Sequence, residues 1–327
     1  MAFSRFLCLS LVLLFSSAAQ TRDEIEKRIS ALPADEQAFE RFRFWIAAQP
    51  ITLRGSAGIS DQIRNPQVLE KYRAYLKESG YRDDEISRQI ETIKGQANRL
   101  EAQRWNRYFT AEHPAFNTKP NAFLVEMTRN RKPGTALDVA MGQGRNAIWL
   151  AQQGWDVTGF DIADEAVRTA IENGARLGVK IKAEVARMED FDFGENRWDL
   201  IVLSYAGCSQ LADRVQRALK PGGIVVEEAF HVDSTKDHRI GGSICGTGEL
   251  PHVFQSLRTV HYEEPVATPD FAKEPMRVVR FCGEKPVTPK QRIDKEPWRR
   301  NIWPTGPRFD CDKMTRGNLP YCFILTL

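Results

Sequence analysis

The stretch from Ala136 to Asp161, ALDVAMGQGRNAIWLAQQGWDVTGFD, constrains the fold of this chain more tightly than any other. Leu137 and Val139 belong to a short apolar run that predicts a buried strand, with Asp138 inside it. Gly142 and Gly144 follow, and the tight turn they permit would be obstructed by residues carrying a Cβ. Asn146 to Gln153 takes helical spacing, with Ile148, Leu150 and Ala151 on one face and Gly154 as the stop. Trp155 to Phe160 predicts a second strand, and Asp161 stands at its carboxyl end. In an open α/β sheet, ligands bind in the crevice at the carboxyl ends of the strands. An acid at that point suits a pair of ribose hydroxyls, so the expected ligand carries an adenosine.

Two ligand classes fit this unit. Gly142-Gln-Gly144-Arg-Asn-Ala147 satisfies the dinucleotide pattern G-x-G-x-x-G/A, and Asp161 follows near the dinucleotide spacing. Asp138 weighs against that class. A pyrophosphate at a helix N-terminus wants positive potential and no carboxylate beside it. A ligand carrying an ammonium and a sulfonium is better served by an acid at that end. With Asp138-Val-Ala140-Met-Gly142-Gln-Gly144 and Asp161, the chain resembles the class I S-adenosylmethionine-dependent methyltransferases. Their motif is an acid, then x-G-x-G-x-G, then an acid ending the second strand. The departure is Ala140, where the family usually has its first glycine.

The resemblance extends well beyond the motif. Trp198 to Tyr205 looks like the family's fourth strand. Leu219 to Glu227 looks like its fifth, entered through a Pro-Gly-Gly turn. Thr259 to Pro265 and Met276 to Lys285 resemble the antiparallel pair that closes the sheet. The fold class implied is α/β: a Rossmann-like methyltransferase sheet, mostly parallel with an antiparallel closing pair, preceded by a helical extension. The local sequence GRNAIWLA, with YEE and KEPMRVVR, is similar to tellurite-resistance and thiopurine-type small-molecule methyltransferases.

The resemblance also implies a site built on S-adenosylmethionine. Asp138 would face the amino group of the methionine moiety, with Ala140 to Gly144 wrapping its backbone. Asp161 would accept from the ribose hydroxyls and Ile162 would lie beside the adenine. Met188 would pack on the adenine, with Glu189 or Asp190 replacing the acid that Arg187 displaces. Ser204 and Tyr205 would lie nearest the transferred methyl. If the acceptor must lose a proton, Tyr205 and His231 are the best-placed bases. The expected partner is a small-molecule methyl acceptor. A dinucleotide-dependent oxidoreductase stays open as an alternative, as does a non-catalytic module that binds the cofactor or nothing.

Charge and composition bound the remaining classes. The 327 residues carry a formal charge of +3, and no dense basic run with interleaved aromatics precedes the tail, so nucleic acid is not an expected partner. Residues 1–19 read as a signal peptide: Arg5, an apolar run from Phe6 to Phe15, and the small residues Ser17, Ala18 and Ala19 before Gln20. That run is shorter than the roughly 20 residues a bilayer span needs, so no stable membrane span is expected after cleavage. The protein would then be exported, periplasmic or secreted. A mis-assigned start codon would leave it cytoplasmic. Outside the leader stand Cys208, Cys245, Cys282, Cys311 and Cys322, an odd number that excludes full internal pairing. Cys208 and Cys282 are expected as buried thiols, while Cys311 and Cys322 could close a loop in an exported tail. The 5 histidines are scattered and suggest no metal site.

Residues 20–118 read as a helical extension that packs on the sheet or forms a lid, and 119–286 as the methyltransferase domain. Ile25, Ile29 and Leu32 form a first apolar stripe, Val68, Leu69, Tyr72 and Leu76 a second, and Ile86 to Leu100 a third. Arg54 to Pro66 is expected to be a loop. By the resemblance, the segment before the first strand folds over the cofactor, which would set Tyr108 and Phe109 against the sulfonium. Residues 287–327 form an irregular tail outside the resemblance.

Overall fold

The computed structural model describes residues 22–287 except 51–52, 54–58, 112–117, 208, 237–239, 241–242, 271 and 273. The leader, the tail with Cys311 and Cys322, and Cys208 therefore lie outside the described residues.

Five parallel strands form the centre. They are β1 (Thr135–Val139), β2 (Asp156–Asp161), β3 (Lys182–Val185), β4 (Trp198–Ser204) and β5 (Leu219–His231). β9 (Met276–Glu284) runs antiparallel to β5, and β7 (Arg258–Glu263) antiparallel to β9, giving the order β3-β2-β1-β4-β5-β9-β7. Two short strands extend this path, β6 (Ile244–Cys245) on β5 and β8 (Val266–Ala267) on β9. Strand order reverses between β1 and β4, and in such a sheet that point opens the ligand crevice.

The strands read as nearly unbroken apolar runs because both faces are covered. Alternate residues divide between two cores. Ala136, Val157, Leu200, Val202, Ile224 and Val226 face one core. It is completed by α6 (Ala122–Thr128), α7 (Arg145–Gln152) and α8 (Asp164–Arg176). Leu137, Val139, Ile201, Leu203, Val225 and Phe281 face the other, under α9 (Ala212–Ala218) and α10 (Glu249–Val253). Cys282 is the buried thiol expected from the sequence, and burial pushes it up to about 12.

The extension has its own core. Its helices are α1 (Arg22–Ile29), α2 (Ala34–Ala47), α3 (Ile59–Arg64), α4 (Pro66–Glu78) and α5 (Asp83–Phe109). Phe39, Phe42, Tyr72, Leu76, Ile86 and Ile93 are fully buried among them. Asn65 caps α4 by accepting from Gln67 N, with Pro66 at the first helical position. Three features differ from the sequence expectation. Ile59–Arg64 is helical within the segment expected to be loop. α5 continues past Leu100 to Phe109. α2 was not anticipated, because Glu40, Arg41 and Arg43 interrupt its apolar stripe; all three are buried, Arg43 donating to Glu40 and Arg41 to Glu26.

The end of α5 is fastened to the sheet domain at the crevice. Asn106 donates to Asp164 Oδ1 at 2.6 Å and accepts from Glu165 N at 3.1 Å, gripping the first turn of α8. Gln143 Nε2, in the glycine turn, donates to Phe109 O at 2.7 Å.

Candidate active site

After β1 the chain enters the left-handed region at three nearby positions: Ala140 (φ 51°), Gly142 (φ 54°) and Gly144 (φ 79°). Ala140 stands where the resembling family usually has a glycine, and an L-residue bears about 1–2 kcal/mol in this region. Tyr205, at the end of β4, is a second non-glycine in that region, at φ 56°. Gly142 has to be glycine on two counts. Besides its φ, a Cβ there would come within 2.6 Å of Phe109 Cζ, so the end of the extension lies directly on the turn.

The two acids singled out in the sequence hold this turn from beneath. Asp161 Oδ2 accepts from Gly142 N at 2.9 Å and its Oδ1 from Ala163 N at 2.8 Å. Asp138 Oδ2 accepts from Ala147 N, in the first turn of α7, at 3.0 Å. Both are buried, and neither is among the described residues that line the crevice. Burial raises Asp138 to about 7, against the opposing pull of Arg145 and the Ala147 N–H. Burial also raises Asp161 to about 6, with the Ala163 and Gly142 N–H groups opposing it. In sequence terms both are ligand contacts; in the fold both are also the cement of the loop. An ionised carboxylate offers about four lone-pair sites, so Asp161 keeps acceptor capacity beyond the Gly142, Ala163 and Ile162 N–H groups.

Above the turn is a cavity of ≈ 330 Å³. Ala140, Met141, Gly142 and Gln143 form its floor, Ser204 its β4 edge, and Phe109, Thr118 and Pro120 part of its rim, while Ile148, Trp149, Gln152, Asn173 and Arg176 extend it along α7 and α8. Arg145 crosses from α7 toward β4, donating to Ser204 Oγ at 3.1 Å and to Asp270 Oδ2 at 2.7 Å. Phe109 faces this space. Tyr108 instead lies beneath the Arg104 guanidinium, 5.3 Å from ring centroid to Cζ.

A second group of residues, behind Ser204, was not legible as a site. Glu228, on β5, is 4% exposed. Its Oε1 accepts from Tyr205 Oη at 2.6 Å and from Asn121 Nδ2 at 3.0 Å, and its Oε2 from Arg280 Nε at 2.6 Å. Asn121 also donates to Asp270 and, through its backbone N–H, to Asn146 Oδ1. Tyr205 is therefore a donor here, and burial together with the Glu228 carboxylate holds its phenol far above the ordinary range. His231 has both ring nitrogens engaged: Nδ1 accepts from Asp233 N at 3.1 Å and Nε2 lies 2.9 Å from Thr247 Oγ1. Neither Tyr205 nor His231 is among the described residues lining the cavity. Met188 packs against the sheet core, and Glu189 is paired with Arg187 at 3.0 Å. Ile162 follows Asp161 at half-buried exposure.

Residues 136–223, which span β1 through the start of β5, match the methyltransferase domain family. That stretch is similar to a methyltransferase domain. The antiparallel β9 and β7 weigh against the dinucleotide oxidoreductase. The cofactor of such a domain is S-adenosylmethionine. The residues present suit it: the floor of the cavity is a glycine-bearing backbone turn at the switch point of the sheet, with an acid under each adjoining strand end. Among curated proteins, Hemagglutinin 1 of Eikenella corrodens is 25% identical over 166 residues, covering 49% of this chain and 55% of that one. An uncharacterized methyltransferase of Synechocystis is 33% identical over 103 residues, covering 29% of this chain and 46% of that one. The chain thus spans about half the length of these relatives. Among solved structures, the N-methyltransferase NodS of Bradyrhizobium japonicum, in complex with S-adenosyl-L-homocysteine, aligns with a TM-score of 0.45 at 17% identity, over 57% of this chain and 98% of that one.

Proposed function

We propose that this chain transfers a methyl group from S-adenosylmethionine to a small-molecule acceptor by in-line displacement. The observation that carries the reading is the cavity at the β1/β4 switch point, floored by the Ala140–Gln143 turn and edged by Ser204. When bound, the cofactor supplies a methyl group already activated by its sulfonium. The chain's task is to hold donor and acceptor at attack distance and keep water out, and such positioning is worth several kcal/mol. Asp161 is the residue to receive the ribose hydroxyls, and Asp138 sets the pitch of α7 and the potential beneath the methionine moiety. Gly142 and Gly144 let the backbone approach, and the end of α5 closes the space above them. Ser204 is the acceptor-side group nearest the turn. No base is assigned, since Tyr205 keeps its proton and donates a hydrogen bond to Glu228, and His231 is committed to Asp233 and Thr247.

The test is release of S-adenosylhomocysteine from S-adenosylmethionine by the full chain across a panel of small thiols, amines and carboxylates. Release with at least one of them is expected. Tight cofactor binding with no turnover across the panel would leave a binding module in place of an enzyme.

We also propose export. The leader pattern supports it, and so does Cys245, which is disulfide-bonded, since disulfides persist in oxidising compartments. Among the described residues no helix is long and apolar enough to cross a membrane. Expression with the native N-terminus should yield a mature chain beginning at Gln20 by intact mass; a chain retaining residues 1–19 would contradict export.

A further inference from the structure

The charge of the cavity is one-sided. Its described lining includes two cations, Arg145 and Arg176, and no carboxylate. The acids nearest to it are all turned onto protein donors: Asp161 and Asp138 onto backbone N–H groups, Glu228 onto Tyr205, Asn121 and Arg280. Asp270 is shared between Arg145 and Asn121.

Arg145 is the cation placed to use that asymmetry. Its side chain is 13% exposed, so its charge is only weakly screened. It spans the gap between the glycine turn and the end of β4, where an acceptor has to approach. Among the described residues, Asp270 Oδ2, Lys119 O and Ser204 Oγ take three of its five N–H groups. Its carboxylate partner comes from the segment between β8 and β9, and only one oxygen of Asp270 reaches it. A guanidinium satisfied by one carboxylate oxygen binds a second carboxylate better, because the planar fork is built for bidentate contact.

Resting on the methyltransferase reading, we infer that the methyl acceptor is an anion, a carboxylate or other oxyanion, held by the Arg145 guanidinium and Ser204 Oγ with Asp270 as the counter-ion it displaces. A cationic amine acceptor at the Ser204 edge would face the Arg145 guanidinium and no acid among the described lining. Arg145 acts here as a specificity-determining residue: it selects charge and fixes the acceptor's angle of approach to the turn.

The probe is benzoate, with benzamide as its neutral counterpart, titrated calorimetrically into the full chain saturated with S-adenosylhomocysteine. Benzoate should bind saturably and benzamide at least tenfold more weakly. Asp270→Asn, which removes the competitor and keeps a hydrogen-bonding group for Asn121, should tighten benzoate binding at least threefold. Arg145→Gln should weaken benzoate at least tenfold more than it weakens S-adenosylhomocysteine. Equal binding of benzoate and benzamide overturns the inference. So does a parallel loss of both ligands in Arg145→Gln, which would make Arg145 the anchor of the cofactor's own carboxylate. Failure of the wild-type chain to bind S-adenosylhomocysteine at all would instead strike the methyltransferase reading, and this inference with it.

Discussion

The two sides of the crevice are built in opposite ways. At the ends of β1 and β2, Asp138 and Asp161 are held by backbone N–H groups belonging to the loop between them and to the turns beside them. At the ends of β4 and β5, Glu228 is held by side chains from β4, β9 and the segment before α6. The first side is a local device, contained in one strand–turn–helix–strand unit, and its geometry follows wherever that unit folds. The second exists only when distant parts of the chain have come together. A common cofactor can be served by the first arrangement, while acceptor choice can drift through the second without disturbing it.

Breaking the second side should have the larger effect on stability. Glu228→Ala leaves Arg280 with one carboxylate, Glu263, in a site where its side chain is 25% exposed, and deprives Tyr205 and Asn121 of their acceptor. Removing one partner of such a buried pair costs about 3 kcal/mol. Thermal unfolding should show a fall in Tm of about 6–12 °C. A change below 2 °C would mean that the network is not holding β4, β5 and β9 together.

The first side should instead reveal itself through pH. Asp138 and Asp161 bind their protons more tightly in the fold than in the unfolded chain, where the ordinary value is 3.8. The native state therefore holds more protons from about pH 4 to about pH 7, and without cofactor its stability falls as pH rises through that window. Glu227, buried on β5 and raised to about 8, extends the fall to higher pH. Asp138→Asn keeps an oxygen for Ala147 N and removes one of the three contributors. The loss of stability between pH 5 and pH 8 should shrink by about 1–2 kcal/mol. Identical Tm-against-pH slopes for the two proteins would show that Asp138 does not titrate in this range.

The same contrast explains what could be read from the sequence. The β1–β2 unit was legible because its determinants are close together: apolar period, glycine spacing and two acids in one stretch. Even the strain at Ala140 was visible as a missing glycine. The closing strands were legible through the resemblance of Thr259 to Pro265 and Met276 to Lys285 to the family's antiparallel pair. The Glu228 network was not, since its members run from Asn121 to Arg280 and each looks like an ordinary surface polar residue. α2 was hidden by a related effect. Its apolar stripe carries Glu40, Arg41 and Arg43, which read as solvent-facing but are buried as ion pairs. The long reach of α5 was obscured by the polar run EAQRWNR, of which Arg104 is buried with its guanidinium over the Trp105 and Tyr108 rings. In each case an amphipathic pattern fails because a charged residue is buried with its partner, Arg43 with Glu40 and Arg104 with Glu101 one turn away, and Arg41 with Glu26 of α1.

The central claim is that the acid–glycine–acid unit at the switch point holds S-adenosylmethionine. The direct measurement is a calorimetric titration of S-adenosylhomocysteine, with NAD in parallel, into the wild-type chain and Asp161→Ala. The account predicts one-to-one binding of S-adenosylhomocysteine by the wild type, at least tenfold weaker binding by the variant as a charged acceptor worth about 1.5–3 kcal/mol is lost, and no binding of NAD by either. Binding of NAD by the wild type without binding of S-adenosylhomocysteine would contradict it.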